Sequence, residues 1–404
     1  MPQETSPSTE VACSHRPPCP GCPRFGEKSI PAAAQAALDG LARSAGLPPP
    51  VVHQLPALGH RHRARLAVRG RPGRPKIGLF QEGSHRIVDT PHCPVHHPAI
   101  NDAVACIKTA MRATGTAPYA DRAHRGALRY LQIVVERESE RVQVVLVGNG
   151  RSPEVLGELP GAVEALLGDR LQGLFFNGQP ERSNTILGPT MEHLAGEPMT
   201  REQLGGVDVF FPPAAFGQNH LPLFAQAVDR IALRVPDGVH AAELYCGVGA
   251  IGLGWLSRGV RVDFNERSPD GLAGLEAGLA ARPAIERARA RIHPGAAGDE
   301  LEWLTGSADR PDVVVVDPPR RGLDPALMEA LIADPPRRLI YLACGLPALL
   351  EELARFEQQS PLRLRGVEAF DFFPFTRHVE TLVWLDRNGE DVEARGTRPA
   401  ASPP

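Results

Sequence analysis

The 404-residue chain has no apolar run approaching the about 18 residues that a membrane span needs. Its first residues, Met1-Pro2-Gln3-Glu4-Thr5-Ser6, lack the basic and apolar stretches of a signal peptide. The expectation is a cytoplasmic protein with no membrane partner. Net charge is also scarce: 44 Lys and Arg against 47 Asp and Glu leave −3, which argues against a globally basic nucleic-acid binder. Sequence repeats are absent. Gly (40) and Pro (41) are abundant, yet a hydrophobic fraction of 42% is that of a globular chain with many turns. The length allows two or three domains, each with its own core.

What charge there is lies unevenly. His60-Arg61-His62-Arg63-Ala64-Arg65-Leu66-Ala67-Val68-Arg69-Gly70-Arg71 continues to Arg74 and Lys76. Such a run can neutralise several phosphates, and its interleaved apolar positions read as a strand, although solvated surface fits it equally. The seven cysteines are uneven too. Cys13, Cys19 and Cys22 form C-x5-C-x2-C, and Cys93 follows in His92-Cys93-Pro94-Val95-His96-His97. Cytosolic chains rarely use cysteines for disulfides, so a clustered set reads as metal-binding, with spacing alone unable to separate iron–sulfur from zinc. Cys106, in the helical stretch Ile100 to Met111, is most simply a core residue.

The periodicity divides the chain into four parts. Residues 1–50 read as a cysteine loop followed by an alanine-rich helix from Ile30 to Ala45. Residues 51–209 alternate as strands, with a hairpin of Tyr130–Val135 and Val142–Val147, a strand at Leu171–Asn177 and another hairpin around Thr185–Gly188. Residues 210–388 alternate strand and helix in the manner of a doubly wound α/β domain. The tail, 389–404, is rich in charge, Pro and Ala and is expected to be disordered.

Within the α/β part, three strand ends carry chemistry. Leu244-Tyr245-Cys246-Gly247-Val248-Gly249 follows a strand and, with Gly252, completes G-x-G-x-x-G before a predicted helix. Glycine there lets backbone approach a ligand, and Glu266, at the end of the next strand, lies where a ribose-binding acid is expected. That motif is shared by dehydrogenases and methyltransferases. Asp317-Pro318-Pro319-Arg320 then forms a rigid acidic ledge suited to a methyltransferase, although a proline-rich turn also fits. Finally, the apolar run Leu339–Ala343 delivers Cys344 to a carboxyl end, where a thiol can act as a nucleophile. Taken alone, a buried inert cysteine is the simpler reading of Cys344.

Together these segments resemble the RNA uracil-5-methyltransferase family, from Cys13 to about Leu385 and in the family's order. The resemblance implies a doubly wound Rossmann-like methyltransferase domain, a smaller β-rich or α+β central domain and an N-terminal cysteine loop. It implies a [4Fe–4S] cluster on Cys13, Cys19, Cys22 and Cys93 in preference to zinc. Phe216-Gly217-Gln218 looks like the start of F-x-Q-x-N, whose glutamine contacts S-adenosylmethionine; Gln218, Tyr245, Glu266 and Asp317 are the implied cofactor-binding residues, with Asp299 a weaker candidate. Cys344 matches the nucleophile. Phe373-Pro374-Phe375-Thr376-Arg377-His378-Val379-Glu380 resembles F-P-x-T-x-H-x-E, which makes Glu380 the base. His60–Arg65 looks like the basic strand of the RNA-contacting domain. No oligonucleotide-binding barrel is expected before Cys13, as in shorter members that include a ribosomal-RNA branch, and the expected partner is ribosomal RNA, with transfer RNA as the alternative. A monomer is expected.

Three positions depart from the pattern: His220 for the asparagine of F-x-Q-x-N, Gly345-Leu346 where Asn-Pro is usual after the nucleophile, and Glu243 for aspartate at the head of the cofactor strand. Nucleophile and base are retained, which implies a changed substrate fit. The implied mechanism adds Cys344 to uracil carbon 6, methylates carbon 5 and removes its proton with Glu380, while Arg320 orients the pyrimidine. A non-catalytic RNA-binding protein, or a methyltransferase acting on small molecules or proteins, are the other readings.

Overall fold

The computed structural model describes residues 12–306 and 309–388. The tail after Asn388 therefore lies outside the described residues.

Eight strands form the larger sheet, in the order Val51–His53, Leu362–Phe370, Glu380–Arg387, Arg338–Ala343, Val313–Val316, His240–Leu244, Arg261–Glu266 and Ala290–Pro294. The last five are mutually parallel, whereas Glu380–Arg387 is antiparallel to both of its neighbours. Chain order runs outward from His240–Leu244 on one side and restarts at Val313–Val316 on the other. That reversal is a topological switch point, and open α/β sheets bind ligands beyond the strand ends there.

Val313–Val316 and Leu339–Ala343 are continuous apolar runs because both faces of the sheet are covered there. Successive side chains alternate: Ala241, Val313, Val315, Ile340 and Leu342 enter one core, and Ala242, Leu244, Val314, Val316, Leu339 and Tyr341 the other. Helix Leu221–Ala232 buries Leu223, Ala227, Val228 and Ile231 in the first core. Helices Pro325–Ala333, Leu346–Gln359 and Ala32–Ser44 bury Leu327, Leu349, Phe356 and Leu38 in the second.

The smaller sheet has seven strands, Ile87–Asp89, Arg74–Phe80, Arg63–Arg71, Leu128–Val135, Val142–Gly148, Leu171–Gly178 and Thr190–Gly196. Helices Pro98–Thr114 and Leu159–Leu167 cover one face, packing on Leu66, Val68, Ile77, Ile133, Val144 and Phe176. The alternation in Leu128–Val135 and Val142–Gly148 does form an antiparallel hairpin. A two-stranded ribbon, Thr200–Leu204 with Val207–Phe211, follows. No helix among the described residues is long and apolar enough to cross a membrane.

Two local expectations fail for physical reasons. The glycine loop leads into a 3-10 helix, Leu253–Arg258, rather than an α-helix. Gly254 there packs on backbone, since a Cβ would sit 2.4 Å from the Gly205 carbonyl oxygen, and glycine disfavours a regular helix. The strand Val51–His53 belongs to the larger sheet and not to the central region, because it pairs in parallel with Leu362–Phe370 near the other end of the chain.

That distant pairing is held by a buried charge. Glu368 accepts hydrogen bonds from Arg230 (2.6 and 2.9 Å), contacts His53 Nε2 at 2.8 Å and also pairs with Arg234. Burial pushes its carboxyl upward, but the hydrogen bond from Arg230 and the charge of Arg234 outweigh this and hold it below the usual range. A carboxyl whose folded value is depressed contributes stability that is complete at neutral pH and is lost as pH falls through that value. Glu368→Gln is expected to cost about 2–3 kcal/mol in urea unfolding at pH 7, less than a fully buried pair because Arg230 is partly exposed. The difference from wild type should shrink below the ordinary carboxylate range.

Candidate active site

The sheet register assembles the site. Leu244 pairs with Val316 and with Asn265, and Val316 pairs with Tyr341. The residues after or at these strand ends, Glu266, Tyr245, Asp317 and Cys344, therefore stand along one edge. Ala343 opposes Thr381 in the antiparallel pair, so one further step sets Cys344 against Glu380. Every one of these side chains comes from a different strand, and all stand at the switch-point end of the sheet.

Cys344 is half-buried at the turn into helix Leu346–Gln359. Burial pushes its thiol up to about 11, and the negative charges of Glu380 and Asp317 add to this while Arg320 opposes it. Glu380 is fully buried, and neither carboxyl oxygen has a hydrogen-bond partner among the described residues. Burial, then the charge of Asp317, holds it well above the usual carboxylate range, with Arg320 pulling the other way. Asp317 is pushed up to about 7 by burial. A buried carboxyl with no partner costs stability, and such groups concentrate where proton transfer is needed. Thiol and carboxyl thus stand adjacent, with the exposed Arg320 as the neighbouring cation.

A cleft of about 460 Å³ opens beside them, lined by Tyr245, Glu266, Gly295, Pro319, Arg321 and Asp324 among others. It continues through Tyr245 into a narrower part, about 40 Å³, walled by Phe216, Gln218, Gly247 and Asp317. All four expected cofactor-binding residues face this cleft, and Asp299 is not among its lining residues. Tyr245 adopts a left-handed backbone, φ +58°, and its hydroxyl accepts from Asp324 N–H at 2.9 Å. Glu266 fixes the loop by accepting N–H bonds from Gly247, Arg267 and Ser268 at 2.6–2.8 Å. Glu243, beneath the loop, accepts from Gly252 N–H at 2.8 Å. Burial pushes it up to about 8, so its neutral form prevails at pH 7.

The basic strand is present as expected, but its arginines divide. Arg63 is buried and donates to the Ala215 carbonyl at 2.7 Å, bracing the segment that carries Phe216 and Gln218. Arg69 is buried between the rings of Phe80, Tyr119 and Tyr130 and is paired with Asp121 at 2.6 and 2.8 Å. Arg65, Arg71, Arg74 and Lys76 remain exposed. Sequence reasoning could not separate these groups, because an arginine reads the same whether its partner is a carbonyl or a phosphate.

Cys13, Cys19, Cys22 and Cys93 are brought to one cavity of about 50 Å³, together with His15 and His96. Among the described residues no three His, Cys, Asp or Glu side chains converge so as to hold a single metal ion.

The tRNA (uracil-5-)-methyltransferase family model matches residues 308–388, the stretch that holds Asp317, Cys344 and Glu380. A protein of Protochlamydia amoebophila described as an uncharacterized RNA methyltransferase is 33% identical, over 84% of this chain and 88% of its own length. A similarly described protein of Parasynechococcus marenigrum is 32% identical, over 82% and 70%. The chain belongs to the RNA uracil-5-methyltransferase family. It is an RNA methyltransferase. Its fold is also that of the Pyrococcus abyssi tRNA (uracil-54, C5)-methyltransferase in complex with S-adenosyl-L-homocysteine, with a TM-score of 0.74 at 24% identity over 91% of this chain and 84% of that one.

The departures from the family pattern have local accounts in this methyltransferase. His220 stands at the N-cap of helix Leu221–Ala232 and makes no capping hydrogen bond, a position where asparagine caps well. Gly345 faces the Asp317–Arg320 ledge, where a Cβ would lie 2.3 Å from the Arg320 carbonyl oxygen. Any side chain at 345 must push the ledge away from Cys344. Gly345→Ala is therefore expected to lower turnover by about tenfold or more, through misplacement of Arg320 and Asp317, measured as kcat for methyl transfer.

Proposed function

We propose that the enzyme transfers a methyl group from S-adenosylmethionine to carbon 5 of a uridine in RNA, through a covalent adduct at Cys344. The observation that carries this reading is the pairing of Ala343 with Thr381, which sets a thiol beside a buried carboxyl at the switch-point end of the sheet. Carbon 5 of uracil is a poor nucleophile and needs activation. Cys344 supplies it by losing its proton to solvent and adding as the thiolate to carbon 6, which converts the ring to an enolate nucleophilic at carbon 5. S-adenosylmethionine supplies the electrophilic methyl, and its sulfonium charge favours both the thiolate and the enolate. Glu380 then takes the carbon-5 proton, and the electron pair left behind reforms the 5,6 double bond as Cys344 departs. A carboxylate held well above its usual range is a correspondingly strong base once ionised.

Gln218, Tyr245 and Glu266 line the cleft that would hold the cofactor, and Asp317 stands between it and the reacting base. The exposed Arg320 would orient the pyrimidine. Reaching that base in folded RNA requires unstacking it. Cys13, Cys19, Cys22 and Cys93 would hold a [4Fe–4S] cluster. All four thiols line one cavity, together with His15 and His96, and a four-thiolate set suits such a cluster.

We assign ribosomal RNA as the substrate of a monomeric cytoplasmic enzyme, following the resemblance to the shorter members. Transfer RNA is the second reading, favoured by the description of the matching family model. Labelled S-adenosylmethionine offered with unmodified ribosomal and transfer RNA decides between them. Wild type should form 5-methyluridine in ribosomal RNA, Cys344→Ala should form none, and Glu380→Gln should accumulate protein–RNA adduct. Iron with inorganic sulfide, and not zinc, should be found in the purified protein. Methyl transfer by Cys344→Ala, or free turnover by Glu380→Gln, would refute the assigned roles.

A further inference from the structure

We infer that Arg24, in the cysteine loop, is a positioning residue for the proposed base. This rests on the reading of Glu380 given above. The segment 373–379 leads directly into Glu380, and it is held from outside the α/β domain. Arg24 N–H donates to the Phe375 carbonyl at 2.9 Å, and its guanidinium donates to the Thr376 carbonyl at 3.1 Å. The Phe25 ring lies against that of Phe375, centroids 4.9 Å apart. Arg24 is itself oriented by Glu27, at 2.8 Å through Nε, and by the Ser29 carbonyl at 3.0 Å.

The segment needs such a hold. Phe375 adopts a left-handed backbone, φ +65°, which a bulky residue takes only when its surroundings enforce it. Inside the segment, Thr376 Oγ donates to the Phe373 carbonyl at 2.8 Å and accepts from His378 N–H at 3.2 Å. Those bonds shape the turn but do not anchor it to another element. Phe373 and Val379 pack into the cores at the two ends of the segment and Glu380 pairs with Phe370 through the main chain, so the turn between them, at Phe375 and Thr376, is the part that Arg24 ties down. The contacts from Arg24 and Phe25 are made two and three residues beyond Cys22, so the cavity that gathers the four thiols and the turn that aims the base share one short stretch of chain. The cysteine loop is in this way a brace on proton removal, the step that follows methyl transfer.

The prediction separates that step from the earlier ones. In Arg24→Ala holoprotein, attack by Cys344 and methyl transfer should proceed, while removal of the carbon-5 proton slows by about 10- to 100-fold. Methylated RNA bound covalently to Cys344 should then build up on denaturing gels, and Arg24→Lys should restore part of the turnover. Phe25→Leu, a milder change on a half-buried ring, should give a weaker form of the same accumulation if Arg24→Ala fails to fold. Glu380→Gln serves as the reference. Adduct in Glu380→Gln but none in folded Arg24→Ala or Phe25→Leu would overturn the positioning role. Absence of adduct in Glu380→Gln itself would overturn the underlying reading of the base. Parallel loss of adduct formation and turnover in folded Arg24→Ala would show a general structural role and would also overturn the inference.

Discussion

The antiparallel pairing of Glu380–Arg387 with Arg338–Ala343 is the constraint on which the site depends. The parallel strands deliver Tyr245, Glu266, Asp317 and Cys344 to one end of the sheet. A parallel neighbour on the other side of Arg338–Ala343 would have carried its own first residue to the opposite end. Because Glu380 begins a strand that runs the other way, its start coincides with the end at which Cys344 lies. The Cys344 thiol and the Glu380 carboxyl are therefore brought together by main-chain hydrogen bonds. A one-residue slip would turn Glu380 to the other face of the sheet. The slip is resisted by Leu382, Val383 and Leu385, which are fully buried on the two faces.

The electrostatics follow from that placement. Three acidic hydrogens (Cys344, Asp317 and Glu380) share a poorly solvated pocket, and burial raises the proton affinity of each. Arg320 opposes this at Cys344 and Glu380, but burial outweighs it and both keep their protons at pH 7, while Asp317 lies near its midpoint. Positive charge beyond that of Arg320, such as a sulfonium ligand would bring, favours the ionised forms of all three. On the proposed mechanism, the thiol is held neutral in the free protein and becomes nucleophilic once the sulfonium ligand is bound.

Much of this was legible in the sequence. Leu339–Ala343 and Val313–Val316 are apolar runs too short for anything but buried strands, and each ends in a reactive residue, so the alternation of the α/β domain could be followed from Leu221 onward. The glycine loop gave the place of the cleft but not its geometry, since the predicted helix after it is a 3-10 turn packed on Gly205. What could not be read were features whose partners are far away in the chain. Val51–His53 carries no sign that it will join Leu362–Phe370, and nothing in the local pattern of Arg63 marks it for the Ala215 carbonyl. Arg24 is the sharpest case. It stands in a cysteine-rich loop, yet it acts on a segment at the other end of the chain.

The most direct test of the account is mass spectrometry of the enzyme reacted with S-adenosylmethionine and RNA containing 5-fluorouridine. Fluorine at carbon 5 cannot be removed as a proton is, so a ring attacked at carbon 6 and methylated at carbon 5 stays bound to its nucleophile. The account predicts one cross-linked peptide, spanning the end of the Arg338–Ala343 strand, with the methylated base on Cys344. A cross-link at any other cysteine, or methylated RNA released with no cross-link, would contradict it.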